Sequence, residues 1–89
     1  MTSPKRKFTG VDLVPGQTYR VVTPFEDYDG INHLVGETWR FVEKNFVPYD
    51  DGLTLSVERD GKATPIRLQW RDEAQGEIID NFSDYVEEA

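Results

Sequence analysis

The fold is decided by residues 53–71, which read LTLSVERDGKATPIRLQWR. Apolar and polar residues alternate strictly over residues 53–58 and again over residues 66–71, as is typical of half-buried β-strands. Between these segments lies Asp60-Gly61, a favoured pair for the two-residue type I′ turn. The stretch therefore predicts a β-hairpin.

The register of this hairpin follows from two independent constraints. A two-residue turn at positions 60–61 places Leu55 opposite Ile66 and Leu53 opposite Leu68. The same register puts both apolar rows on one face of the sheet, so the turn and the hydrophobic pattern agree. Pro65 lacks a backbone N–H and must occupy a position that donates no hydrogen bond to the ladder.

Two more strands are expected before the hairpin. Residues 17–23 are rich in β-branched and aromatic residues and end at Pro24, which indicates a strand end or a sheet edge. Residues 37–42 form a second candidate strand, which Phe46 and Val47 can extend. The connection over residues 26–36 is too long for a tight turn, and we expect it to fold back on itself.

After the hairpin the hydrophobic period changes. From residue 72 onward, apolar residues recur at helical spacing, and Asp72 is a candidate N-cap, so we predict a C-terminal helix. Gly76 and the unfavourable pair Glu87-Glu88 at the negative end of the helix dipole predict fraying or a break into short turns.

These elements predict a mainly β protein, either a small SH3-like antiparallel barrel or a strongly bent sheet with a C-terminal helix. The chain of 89 residues has room for one core, and we expect a single domain over residues 9–89 after a flexible tail of residues 1–8.

Composition limits the classes of function. The net charge is −7, so phosphate backbones are repelled and a basic protein partner is favoured over nucleic acid. The chain has no cysteine, which excludes disulfides and thiolate metal sites. We expect no membrane segment, no signal peptide and no cofactor, and a cytoplasmic location.

The histidine-containing stretch over residues 25–41 holds most of the chemically interesting side chains. Asp27 and Asp29 resemble the start of a calcium loop, but the EF-hand spacing fails, and Asx turns account for both residues. His33, the only histidine, is expected to hydrogen-bond within the loop and pin it to the sheet. His33 with Glu37 and the aspartates could alternatively form a general base or a metal site. We assign no catalytic or metal-binding residue.

Two tyrosines differ from the other aromatic residues. Tyr28 and Tyr49 each lie in a polar turn beside carboxylates, a composition common at binding surfaces. Asp50 and Asp51 follow Tyr49 in a Pro-Tyr-Asp-Asp-Gly turn. The candidate residues for binding a partner are accordingly Asp27, Tyr28, Asp29, His33, Glu37, Tyr49, Asp50 and Asp51. On the last strand, Arg67, Gln69 and Arg71 form a basic-polar stripe, which we expect to pair with the acidic C-terminal segment; the alternative is that it receives a partner.

The joint pattern resembles a family of small bacterial proteins catalogued only as a domain of unknown function. The segments that carry the resemblance span roughly residues 13–86 and are Tyr19-Arg-Val, Phe25 with Asp27-Tyr-Asp-Gly30, His33, Gly36-Glu37, Trp39, Phe41, Pro48-Tyr-Asp-Asp-Gly-Leu53, Ile66-Arg-Leu-Gln-Trp70 and Gln75. The resemblance implies no activity. Residues 25–41 are also similar in outline to SH3 domains, but a tryptophan pair after Trp39 is absent, so the resemblance does not imply proline-rich peptide binding.

The sequence thus leaves three functions open. The first is a non-catalytic acidic module of a bacterial cytoplasm that binds a basic or proline-containing protein surface. The second is a metal-dependent hydrolase or another enzyme that uses the acidic loop around His33. The third is a structural homodimer subunit, so the protein is expected to be a monomer or a homodimer.

Overall fold

The structure is a computed structural model that describes residues 7–89. Its strands and helix, in chain order, are β1 (Thr18–Val21), β2 (Phe25–Glu26), β3 (Asn32–His33), β4 (Thr38–Val47), β5 (Gly52–Arg59), β6 (Lys62–Gln69), α1 (Gly76–Asp80) and β7 (Val86–Glu88). Short 3-10 helices cover Pro48–Asp50 and Phe82–Asp84. No helix among the described residues is both long enough and apolar enough to cross a membrane.

The main sheet is antiparallel and has five strands in the order β6-β5-β4-β1-β7. Its end strands, β6 and β7, do not pair with each other, so the sheet is open and is not a closed barrel. The predicted mainly β class is confirmed, in the form of an open sheet. A β-bulge between Phe41 and Glu43 interrupts the pairing of β4 with β5, and bulges of this kind bend a strand.

The β5–β6 hairpin has the predicted register. Leu55 pairs with Ile66 and Leu53 with Leu68, and all four side chains are buried. Asp60 and Gly61 both have positive φ, 53° and 78°, as a type I′ turn requires. Strand β4 extends to Val47, also as predicted.

The core lies against one face of the sheet. Its fully or nearly fully buried members are Leu13, Tyr19, Val21, Phe25, Trp39, Phe41, Leu53, Leu55, Val57, Ile66, Leu68, Ile79, Phe82 and Val86. Phe8 packs against this core, with its ring centroid 5.9 Å from that of Tyr19. The first six residues of the predicted tail lie outside the described part of the chain.

The C-terminal segment differs from the predicted helix. Helix α1 spans only five residues, its N-cap residue is Gln75 and not Asp72, and a 3-10 turn and strand β7 follow it. Gln75 explains the late start, because its Oε1 accepts the amide of Gln69 and its own amide donates to the Gln69 carbonyl. These bonds hold the chain in a turn up to residue 75. The expected break into short turns is present, as the short α1 followed by the 3-10 turn.

The long connection folds back on itself, as predicted. Its two short strands, β2 and β3, pair as a separate antiparallel ribbon, with Phe25 opposite His33 and Glu26 opposite Asn32. This ribbon presents the candidate side chains around His33.

Candidate functional site

The candidate residues divide into a buried cluster and an exposed surface. The buried cluster is Asp27, His33 and Glu37, whose side chains are 1%, 5% and 7% exposed. His33 Nε2 lies 2.8 Å from Asp27 Oδ2, and Nδ1 lies 2.6 Å from Glu37 Oε2. Each ring nitrogen of His33 therefore has a carboxyl oxygen as its hydrogen-bond partner. The ring also stacks on Phe25, with centroids 4.7 Å apart.

Every polar atom of this cluster is occupied. Glu37 Oε1 accepts from Arg59 at 3.1 Å, and Glu37 Oε2 also accepts from the indole N–H of Trp39 at 3.2 Å. Asp27 Oδ1 accepts the amides of Asp29 and Ile31 at 2.9 and 3.0 Å. The Asx turn predicted at Asp27 is therefore present. His33, on strand β3 of the ribbon, bonds Asp27 near the start of the loop and Glu37 at its end, and Glu37 also binds Arg59 on β5. The cluster can therefore hold the ribbon against the sheet.

No three His, Asp or Glu side chains between residues 7 and 89 are arranged to hold one metal ion. The aspartates of the calcium-like stretch have different roles. Asp27 is buried against His33, whereas Asp29 points to Arg67 on the exposed surface. The two carboxylates therefore do not converge on one centre.

The first part of the exposed surface is the contact of Tyr28 and Asp29 with Arg67. Arg67 Nη1 lies 3.3 Å from Asp29 Oδ1, and its Cζ lies 5.9 Å from the ring centroid of Tyr28. The backbone amide of Tyr28 also donates to the carbonyl of Arg67 at 2.7 Å. The guanidinium is thus held by a carboxylate and by the face of an aromatic ring, two interactions that suit arginine.

The second part is the turn that carries Tyr49, Asp50 and Asp51. Tyr49 is 91% exposed, and Asp51 adopts the left-handed conformation with φ 50°. Asp51 Oδ2 accepts from Nε of Arg71 at 3.0 Å, and this hydrogen bond raises the pKa of Arg71. Among the described residues, the carboxylate of Asp50 makes no hydrogen bond and no ion pair.

A groove runs between Tyr28 of the first part and Asp50 of the second, while Tyr49 lies outside its lining; we call it the tyrosine groove. Its lining consists of Tyr28, Val47, Asp50, Gly52, Leu53, Thr54, Arg67, Leu68 and Gln69. The cavity has a volume of about 90 Å³, well below the roughly 300–1,000 Å³ of sites that enclose small ligands. The groove therefore suits a single side chain or an extended segment. A cavity of about 270 Å³ between Phe8, Tyr19 and Glu88 contains none of the predicted residues.

The basic stripe on β6 pairs internally, but not with the expected partner. The side chains of Arg67 and Arg71 bind Asp29 and Asp51, one in each loop, and neither side chain pairs with the described C-terminal segment. Only the Arg71 carbonyl contacts that segment, where it accepts the amides of Ala74 and Gly76. From the sequence, Arg67 and Gln69 are a possible partner surface only in second place, and both are absent from the candidate residues. The alternation of apolar and polar residues along β6 could have identified them, because it puts both side chains on the face opposite the core.

Comparisons with known proteins agree with the resemblance in the sequence. The domain of unknown function DUF3601 matches residues 6–88. An integron cassette protein from the mobile metagenome of Vibrio cholerae has a similar structure, with a TM-score of 0.85 and 40% sequence identity over 88% of this chain and 87% of that chain. No curated protein sequence matches the chain. The chain belongs to the DUF3601 family, a domain of unknown function.

Proposed function

We propose that the protein is a non-catalytic module of a bacterial cytoplasm that binds a basic protein partner in the tyrosine groove. The observation that carries this proposal is the convergence of two loops that are distant in sequence. Tyr28 from the first loop and Asp50 from the second line the same groove. Both loops were candidate contact segments because each places a tyrosine beside carboxylates.

Charge supports a basic partner. The chain carries a net charge of −7, which attracts a positively charged protein over several ångströms and speeds the encounter. At the groove itself, Asp50 presents an exposed carboxylate whose charge acts on Arg71 but forms no hydrogen bond or ion pair with the described residues. A cation of a partner can pair with this carboxylate directly.

Exposed aromatic surface supports a protein partner. The side chains of Tyr28 and Tyr49 are 52% and 91% exposed. Tyrosine supplies a large contact area with few rotatable bonds, and it is enriched at protein interfaces. A proline-containing segment would pack on the same tyrosine rings. A basic segment that contains proline therefore uses both the negative charge of the surface and its exposed rings.

The enzyme alternative ranks second because both ring nitrogens of its candidate base, His33, already have hydrogen-bond partners. A general base must come within hydrogen-bonding reach of the proton that it removes. Both ring nitrogens of His33 already face carboxylates, and its side chain is only 5% exposed. The same bonds support a structural role for the cluster.

The homodimer alternative ranks third. A dimer built by pairing sheet edges needs backbone N–H groups along an open edge. On β6 the open edge carries Pro65, which has no N–H, and the Arg67 carbonyl on that edge is bound by Tyr28. These two features disfavour strand addition at β6.

An NMR titration of the ¹⁵N-labelled full chain tests the proposal. The probe is a blocked peptide with lysine, arginine and proline, and its matched control is the same peptide with glutamate at the basic positions. Shifts confined to Tyr28 and to residues 47–54 and 67–69, with the basic peptide only, support the proposal. Chemical-shift changes at His33 and Glu37 but not at the groove residues would overturn the proposal. An absence of shift changes at millimolar peptide would overturn it as well.

A further inference from the structure

We propose that Gly52 admits the partner to the tyrosine groove, and that the group inserted over its backbone is one long basic side chain. This inference rests on the proposed function. It names the residue that decides which side chains enter the groove and the chemical class of the side chain that enters. The argument starts from what a side chain at position 52 would occupy.

The fold does not require glycine at position 52. Four of the seven glycines have a positive φ, a conformation that favours glycine. At Gly10 and Gly76, an added Cβ would lie 3.3 and 2.7 Å from neighbouring atoms. Gly52 differs from these six, because its φ is not positive and its Cβ would meet only Oδ2 of Asp50, at 3.7 Å, which is an ordinary contact. The reason for glycine therefore lies outside the packing of the chain.

Glycine is also unfavourable for the strand that it begins. Gly52 is the first residue of β5 and pairs with Val47 on β4 and with Gln69 on β6. A glycine in a strand loses more backbone entropy than other residues and has no side chain to pack. Glycines at such positions often mark a place where a ligand approaches the backbone closely. Gly52 lies at such a place, because it lines the groove.

The missing side chain opens the outer face of the sheet. Leu53 and Leu55 are buried on the core face, so position 52 faces outward. Val47 and Gln69, its neighbours across the sheet, both line the groove. Their strands are two strand spacings apart, about 10 Å. A side chain at position 52 would fill the space between them, and glycine leaves that space to a ligand.

A carboxylate borders this space. The Cβ position of Gly52 lies 3.7 Å from Oδ2 of Asp50, so a group that lies over Gly52 comes close to that oxygen. Arg71 interacts with the charge of Asp50 through space, but Arg71 is held by Asp51 and lies outside the groove lining. Arg67 does line the groove, and its charge is paired within the chain. A cation inserted over Gly52 is therefore attracted at short range.

The groove suits a long and narrow side chain. Its volume is about 90 Å³, and Tyr28 and Val47 offer apolar surface beside Gly52. Lysine and arginine pack their aliphatic stems on apolar surface and carry the charge at the far end. A stem that lies along Tyr28 and Val47 brings that charge to Asp50. A short basic side chain cannot make both contacts.

An NMR titration of the ¹⁵N-labelled full chain tests the inserted group. The probes are three blocked five-residue peptides that differ only at the central residue. This residue is lysine, norleucine, which has no charge, or 2,3-diaminopropionate, which carries an amine on a short stem. We expect the lysine peptide to shift the amides of residues 47–54 and 67–69, and the other two peptides to bind several-fold more weakly.

Variants at Gly52 separate access to the groove from folding. Gly52→Ala should weaken binding of the lysine peptide by a few-fold and Gly52→Val by about tenfold, because their side chains fill the space. Neither variant should lower the thermal unfolding midpoint, since both residues restrict the unfolded chain more than glycine does. Ser56→Val is the matched control, because it adds valine to the outer face of the same strand, outside the groove lining. It should bind like the unchanged protein.

The outcomes separate this inference from the proposed function. Undiminished binding by Gly52→Val, or an equal loss in Ser56→Val, would overturn the role of Gly52; Gly52→Ala provides the same comparison if valine prevents folding. Equal binding of the lysine peptide and either other peptide would overturn the long basic side chain. In these cases, shifts in the groove that the charge-reversed peptide does not produce would still support a basic partner. An absence of groove shifts with every peptide at millimolar concentration would overturn both.

Discussion

The amide of Tyr28 donates a 2.7 Å hydrogen bond to the carbonyl of Arg67. Arg67 lies on β6, one of the two edge strands of the sheet, so this bond attaches the long loop to a strand that is remote in sequence. The Arg67 side chain returns to the same loop at Asp29. One residue therefore fixes a wall of the groove through its backbone and its side chain.

Replacing the Arg67 side chain should loosen this wall with little loss of stability. Arg67 and Asp29 are 52% and 37% exposed, and solvent screens such pairs, so Arg67→Gln should lower the free energy of unfolding by less than about 1 kcal/mol. The Tyr28 ring should nevertheless lose its order. Urea unfolding measures the first effect, and NMR shifts of the Tyr28 ring protons measure the second. A loss above about 2 kcal/mol would contradict this expectation.

Removing the imidazole from the buried cluster should be much more costly. His33→Ala leaves the carboxylates of Asp27 and Glu37 buried without their shared partner. A buried polar group that loses its hydrogen-bond partner costs about 1–3 kcal/mol, and two such groups lose theirs here, so the cost should be several kcal/mol. Chemical denaturation at neutral pH measures the difference in the free energy of unfolding.

A control variant separates this effect from the removal of any surface side chain. Glu26→Ala lies on the same ribbon but has an exposed side chain, so it should change stability by less than about 0.5 kcal/mol. If His33→Ala lowered the free energy of unfolding as little as Glu26→Ala, the cluster would not be responsible for holding the loop.

The pairing of β5 with β6 was predictable because all its determinants are local. Two alternating segments and a two-residue turn specify which residues face each other, and no distant part of the chain is needed. The C-terminal segment was harder, because the spacing of Phe82 and Val86 fits a continuous helix as well as the 3-10 turn and strand that form. What decides between them is the contact of Gln75 with Gln69, which spacing does not reveal.

The candidate residues could be chosen from the sequence by side-chain type, but their division into a buried cluster and an exposed surface could not. The sequence identifies the tyrosines and carboxylates by type, whereas the arginines that bind Glu37 and Asp29 come from β5 and β6. Arg59 reaches Glu37 and Arg67 reaches Asp29 only after the loop has folded onto the sheet. Side chains that are adjacent in sequence, such as Asp27 and Tyr28, consequently have different environments, one buried and one exposed.

Gly76 should not tolerate even alanine. A Cβ at this position would lie 2.7 Å from the carbonyl oxygen of Arg71, a backbone atom that cannot move without breaking the turn before α1. We expect Gly76→Ala to destabilise the protein by about 1–3 kcal/mol, as overpacking does. Gly52→Ala is the control, because its Cβ would meet only the Asp50 side chain at 3.7 Å. Thermal unfolding of both variants would refute the prediction if their midpoints matched.

Tyr85 should ionise at a higher pH than an exposed tyrosine. Burial raises the pKa of its phenol, and the negative charges of Glu77 and Asp84 raise it further. Since the folded-state pKa exceeds the unfolded value, the stabilising contribution is complete below about pH 10 and is lost as the pH rises through the folded pKa. The phenolate absorbance of the native protein minus that of Tyr85→Phe measures this titration. A midpoint at or below the ordinary tyrosine value would refute it.

Pro65 should keep the β6 edge from pairing with a second molecule. In an antiparallel pair, residues alternate between facing the partner strand and facing away. The Arg67 carbonyl faces away, since it binds Tyr28, and Pro65, two residues earlier, therefore has its nitrogen on the same open edge. Pro65→Val adds an N–H there and raises β propensity, so we expect mass to increase with concentration in sedimentation velocity. Thr64→Val is the matched control, because its N–H faces β5. Self-association of the control alone, or of neither variant, would show that Pro65 is not the block.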